Sequence, residues 1–124
     1  MLVLLMIFLH IFSDFTLQGL LGQLKQKNWW INNYPQKLYK YDWIICGILH
    51  AFEWAFVIYI PIFIKYKFVL SLPIGISFTI NIIIHFIIDH LKANKQNISL
   101  TVDQIYHILQ ISITANLFTY VYWL

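Results

Sequence analysis

Apolar residues fall in four long blocks. They run from about Leu2 to Leu24, Trp43 to Ile64, Phe68 to Leu91 and Val102 to Leu124. Each is close to the roughly 20 residues a helix needs to cross the hydrocarbon core of a bilayer. The pattern predicts an all-α fold: an integral membrane bundle of four transmembrane helices, with residues 1–124 forming one domain. The blocks take up most of the chain, so no soluble domain remains, and there is no internal repeat. The first block lacks a basic n-region and a clear small-x-small cleavage site, and it carries His10 and Asp14. It reads as an uncleaved helix and not as a signal peptide.

The connections set the expected topology. The longest, Lys25 to Tyr41, is an amphipathic, aromatic segment with Lys25, Lys27, Lys37 and Lys40 among Trp29, Trp30, Tyr34, Tyr39 and Tyr41. Such rings sit at headgroup level, so the segment is expected along the cytoplasmic surface, partly helical before Pro35. Lys92 and Lys95 flank the third connection, and Lys65 and Lys67 the second. The positive-inside rule then places the first and third connections in the cytoplasm and both termini outside, in a multi-pass inner or plasma membrane protein. Pro61 and Pro73 mark helix ends or kinks. Thr101-Val-Asp-Gln104 has the form of a capping box that starts the fourth helix.

Composition agrees with a membrane setting. Of 124 residues, 60% are hydrophobic and 8 + 5 = 13, or 10%, are charged. An average soluble domain carries about 25% charged residues. A disordered tail, a disulfide scaffold and an ordinary soluble enzyme are excluded. The net charge of +3 comes from Lys alone and is dispersed, which gives no footprint for nucleic acid. Cys46 is the lone thiol and can make no internal disulfide.

The informative residues are those that the apolar background does not explain. His10, Asp14 and Gln18 are spaced i, i+4, i+8 on the first block, and His50 and Glu53 i, i+3 on the second. His85 and Asp89 are i, i+4 on the third, and Asp103 and His107 i, i+4 on the fourth, with Gln110 beyond. Residues four apart share a helix face, so each helix presents one polar stripe, in the cytoplasmic half under the expected topology. An Asp at the centre of a membrane helix costs about 2.5–3.5 kcal/mol on insertion scales, so such residues face inward and find partners. Most Lys lie at block ends, which leaves His and a bound cation. His nitrogen with Asp oxygen suits Zn, and also Fe, Mn or Ni. His10, Asp14, His50, His85, Asp89, Asp103 and His107 exceed one tetrahedral set, which allows one metal with supporting carboxylates or a two-metal centre.

Bland readings stand beside these. Asp103 near a helix start is favoured by the helix dipole. His90 faces another direction from Asp89. Glu53 either pairs with a His or Lys or serves as a general acid or base. Cys46 is a packed thiol or, one turn before His50, a ligand. Lys92 snorkels to the surface or meets an anionic headgroup. A polar or proton relay without metal is the main alternative for the cluster as a whole.

His10-x-x-x-Asp14-Phe15-x-x-Gln18, Lys27-Asn28, His50, His85-x-x-x-Asp89 and Asp103-Gln104-x-x-His107 resemble, in order and over nearly the whole chain, the domain-of-unknown-function 3307 family of small bacterial and phage membrane proteins. The resemblance implies four spans and a shared site but supplies no substrate. Three functions compete. The first is a metal-dependent membrane hydrolase acting on a lipid or lipid-linked substrate at the cytoplasmic leaflet. In it Glu53, Asp103 and Lys92 are the candidate catalytic groups, and Lys25 and Lys27 lie where an anionic headgroup arrives. The second is a metal-ion or proton transporter or channel subunit, which requires a homo-oligomer and a polar path to the outer leaflet. The third is a non-enzymatic phage-type membrane modulator or lysis protein, which gives no reason for the stripes.

Overall fold

The structure is a computed structural model that describes residues 1–121. Those residues contain six α-helices and no strand: α1 (Leu2–Phe12), α2 (Gly19–Leu24), α3 (Lys27–Asn33), α4 (Asp42–Lys65), α5 (Leu72–Ala93) and α6 (Leu100–Asn116). α1 packs on α4 and α6, and α5 packs on α4 and α6, so these four close a ring around a shared interior. Two stretches are long and apolar enough to cross a membrane: Lys37–Lys65, which contains α4, and Leu72–Ala93, which is α5. The apolar stretch Leu2–Leu17 is shorter.

The first apolar block is not one straight helix. α1 passes into a wide π-type turn over Ser13–Leu17, and the chain then breaks at Gly19, whose φ is +48°. Glycine adopts this left-handed backbone without the steric cost that a Cβ brings. The break redirects α2 so that Lys25, at its end, turns inward. Trp30 Nε1 donates to the Leu24 carbonyl at 2.7 Å, and Asn94 at the end of α5 grips both Lys25 O and Lys27 N. α3 ends before Pro35, and the rings of Trp29, Trp30, Tyr34 and Tyr39 pack against one another, Trp30 and Tyr39 stacked and the other pairs edge-to-face or tilted.

Two further boundaries differ from the pattern. α5 starts at Leu72, because Lys67 and Phe68 take positive φ in the preceding turn. Pro73 sits in the first turn of α5, where its missing N–H is harmless, whereas Pro61 lies inside α4. α6 starts at Leu100, capped by Ser99, whose hydroxyl accepts from Val102 N, so the Thr101–Gln104 capping box does not form. Gln104 points into the interior instead. Its helix continues past Asn116 as a π-type turn over Leu117–Val121, and the last residues of the fourth predicted block lie outside the described residues.

Large apolar side chains lie on the outside of the ring as well as within it, and several ionisable ones are buried. Leu4, Phe8, Ile11, Ile45, Leu49, Ile83, Ile87, Ile105 and Leu109 are exposed, while His10, His50, His85, Asp103 and His107 are at most 1% exposed. The apolar interior (Met6, Trp54, Ile58, Tyr59, Ile62, Ile111, Ala115, Phe118) fills the ring on the side of the α4 C-terminus. Gly47 lets α4 and α5 approach closely, since a Cβ there would meet Phe86 Cε2 at 2.6 Å. Gly47→Ala is therefore expected to cost about 1–3 kcal/mol through overpacking, read as a lower unfolding temperature in detergent. Gly75→Ala, where a Cβ meets open space, should unfold no earlier than the wild type.

Candidate metal centre

Each wall of the ring contributes to one polar cluster because the i, i+4 spacings put the polar residues on the inward faces. Asp89, on α5, is its hub. Its Oδ2 lies 3.2 Å from His50 Nε2, 3.5 Å from His85 Nε2 and 2.7 Å from Lys25 Nζ. Its Oδ1 lies 3.5 Å from His107 Nε2. His85 and His50 face each other through their Nε2 atoms at 3.3 Å. Asp103, on α6, lies 3.4 Å from His107 Nε2 through Oδ1 and 3.0 Å from Lys92 Nζ through Oδ2. The rings are held by stacking: Trp54 lies 4.0 Å over His85, and His85 lies 4.3 Å from His107.

The donor set fits a metal on two grounds. First, His50 Nε2, His85 Nε2 and Asp89 Oδ2 form a triangle with edges of 3.3, 3.2 and 3.5 Å. Metal–ligand bonds of about 2.1 Å in a tetrahedral site put neighbouring ligand atoms about 3.4 Å apart. Secondly, the cluster holds buried polar atoms with no hydrogen-bond partner: Asp14 Oδ1, Asp103 Oδ1, both ring nitrogens of His107, and Nδ1 of His50 and His85. A buried orphan of this kind costs about 1–3 kcal/mol, and several in one place call for a ligand. Three overlapping groups could each hold an ion: Asp14, His50 and His85; His85, Asp89 and His107; and Asp14, Asp103 and His107.

The seven sequence-proposed ligands therefore come together, but not all in one role. His10 is in none of the three groups. Trp54 Nε1 donates to its Nδ1 at 2.8 Å, and its Nε2 meets Gln104 Oε1 at 2.9 Å. Glu53 is half-buried on α4 and outside the groups, and no hydrogen bond or ion pair to another described residue engages it. Lys92 reaches Asp103, with 29% of its side chain exposed. His90 lies away from the cluster and stacks on Trp43 at 5.1 Å. Cys46 is in no group.

Two features were missed in the pattern. Lys25, read there as part of a basic rim, is 6% exposed and bridges Asp89 and Gln18 Oε1. No spacing rule joins residues 64 apart. The second is a polar network on the other side of His85 and His107. Asn81 Nδ2 donates to Tyr59 Oη and Thr114 Oγ1, Gln110 Nε2 donates to Asn81 Oδ1, and Tyr59 Oη meets Ser77 Oγ at 2.6 Å. Its signal was present, since Ser77, Asn81, His85 and Asp89 recur every four residues along α5.

No family model, curated protein or solved structure matches the chain.

Breaking the Asp89–Lys25 pair from one side strands the other charge. Asp89→Asn is expected to cost about 3–5 kcal/mol, read as loss of thermal stability. Adding Lys25→Met to Asp89→Asn should recover most of that loss. A double variant as unstable as the sum of the singles would mean that the two are not coupled.

Proposed function

We propose that the chain is a four-span integral membrane protein that holds divalent metal in the His/Asp cluster. In this reading it is a hydrolase for a lipid or lipid-linked substrate at the cytoplasmic leaflet. The observation that carries the proposal is the convergence of His50, His85 and His107 on Asp89, beside a candidate ligand group in which Asp14 Oδ1, Asp103 Oδ1 and both ring nitrogens of His107 are buried without a hydrogen-bond partner. The exposed apolar faces of α1, α4, α5 and α6 support a bilayer as solvent. α1 with its π-type turn and α6 with its own complete the shorter two spans.

His50, His85 and Asp89 form one face of ligands, and Asp14, Asp103 and His107 the second, so the site has room for one or two ions. When bound, such a metal supplies a water of lowered pKa and stabilises charge on the attacked group. Zn suits the mixed nitrogen and oxygen donors, and Fe, Mn and Ni are the other candidates. Lys92, partly exposed while paired to Asp103, is the cation placed to meet an anionic headgroup. Glu53, unengaged and half-buried in α4, is the remaining candidate acid or base.

Elemental analysis of detergent-purified protein tests the first step. Wild type is expected to carry one or two equivalents of transition metal, and His85→Ala far less at equal folding. Wild-type protein that is metal-free after purification and indifferent to added Zn would remove the metal and, with it, the hydrolase.

A second reading is favoured by one observation. The polar ladder Asp89, His85, Asn81, Ser77 continues along α5 for about 18 Å at 1.5 Å per residue, and Gln110 and Thr114 meet it from α6. A path of this kind suits ion or proton movement. Flux in proteoliposomes that is lost in Asn81→Leu but retained in Glu53→Gln would replace the hydrolase with a transporter.

A further inference from the structure

We infer that Trp54, His10 and Gln104 form a one-way hydrogen-bond relay that presets the two carboxylates of Asp14 and Asp103, which makes His10 a positioning residue and not a metal ligand. The inference rests on the metal reading only for its consequence, because the relay itself is a property of the metal-free protein.

The direction follows from donor and acceptor chemistry. An indole N–H can only donate. Trp54 Nε1 lies 2.8 Å from His10 Nδ1, so that nitrogen carries the lone pair. A neutral imidazole with a bare Nδ1 bears its hydrogen on Nε2. His10 Nε2 therefore donates to Gln104 Oε1 at 2.9 Å. With its oxygen taken, the Gln104 amide presents its NH2 group, which donates to Asp14 Oδ2 at 3.3 Å and to Asp103 Oδ2 at 3.1 Å. The contact between His10 Nδ1 and Asp14 Oδ2, at 3.7 Å, is too long to compete.

The consequence lies in the oxygens left over. Asp14 and Asp103 each have Oδ2 held by Gln104, joined at Asp103 by Lys92 Nζ at 3.0 Å, and each has Oδ1 buried with no hydrogen-bond partner. Those two oxygens belong to residues that join His107 in one candidate group. The relay thus turns both carboxylates so that a single oxygen of each is offered to the site. It also anchors that side of the site to Trp54, whose ring lies flat on His85. Partners one shell out from a metal orient the ligands and set their basicity. His10 has no lone pair to spare for an ion while it serves in this chain. Its i, i+4 spacing from Asp14 looks like a ligand pair in sequence, but it orients Asp14 through a side chain 94 residues away.

Two measurements test this. In metal-free protein labelled with 15N histidine, the His10 ring is expected as the Nε2–H tautomer. Trp54→Phe keeps a ring against His85 but removes the indole donor, and it should shift His10 toward a mixture of tautomers. An Nδ1–H tautomer in the wild type, or no change in Trp54→Phe, would overturn the relay. The second measurement is affinity for Zn alone. His10→Ala and Gln104→Met are expected to weaken it about 10- to 100-fold. His10→Gln, which retains a donor near the Nε2 position but is a poor ligand, should bind close to wild type. Equal losses in His10→Gln and His10→Ala would make His10 a ligand and sink the inference. Should no variant bind Zn while the tautomer behaves as expected, the relay stands and the metal reading falls.

Discussion

A single carboxylate organises the interior. Asp89 faces His50 from α4, His85 from its own helix, His107 from α6 and Lys25 from the end of α2. A buried carboxylate with few partners is costly, and the cost is met only when several donors converge on it. That requirement ties the ring of helices together at one level. It also explains why the chain breaks at Gly19: a straight continuation of α1 would carry Lys25 onward and away from Asp89.

The outer surface applies the same constraint in reverse. Large apolar side chains cover the outside of α1, α4, α5 and α6, while imidazoles, carboxylates and amides fill much of the inside. In a bilayer such an arrangement is the stable one, since backbone and side-chain polar groups find no partners in hydrocarbon. Around Asn81 most donors and acceptors are paired across α4, α5 and α6, with Gln110 Oε1 the one buried atom of that network left without a hydrogen bond. Around His107 they are not, for both ring nitrogens lack a hydrogen bond although two carboxylates lie within 3.5 Å. The two networks lie a turn or so apart on α6 and differ in how many of their buried atoms are paired.

The Gln104 side chain shows how a small shift in helix start changes a role. With Ser99 as cap, Gln104 falls on the inward face and links His10 to two carboxylates. With Thr101 as cap, the same residue would close a local box with its own helix and lose its link to His10, Asp14 and Asp103. Ser is the better cap of the two, and the interior adds to that preference, since there the amide gains three partners.

The sequence alone determined the all-helical character and the i, i+4 stripes, because periodicity decides which side chains share a face. It also marked Lys25–Tyr41 as aromatic and basic, and α3 ends before Pro35 as that composition suggests. What it left undecided was partnership between stripes. His10 and Asp14 read as equivalent ligands until Trp54 claims one nitrogen of His10. Lys25 read as a rim residue until the break at Gly19 turns it inward. Glu53 shares the second block with His50 yet stays outside the cluster. Such assignments depend on donors and acceptors brought together from distant segments, and local spacing carries no information about them. Only the packed ring decides which polar atoms are satisfied and which remain open.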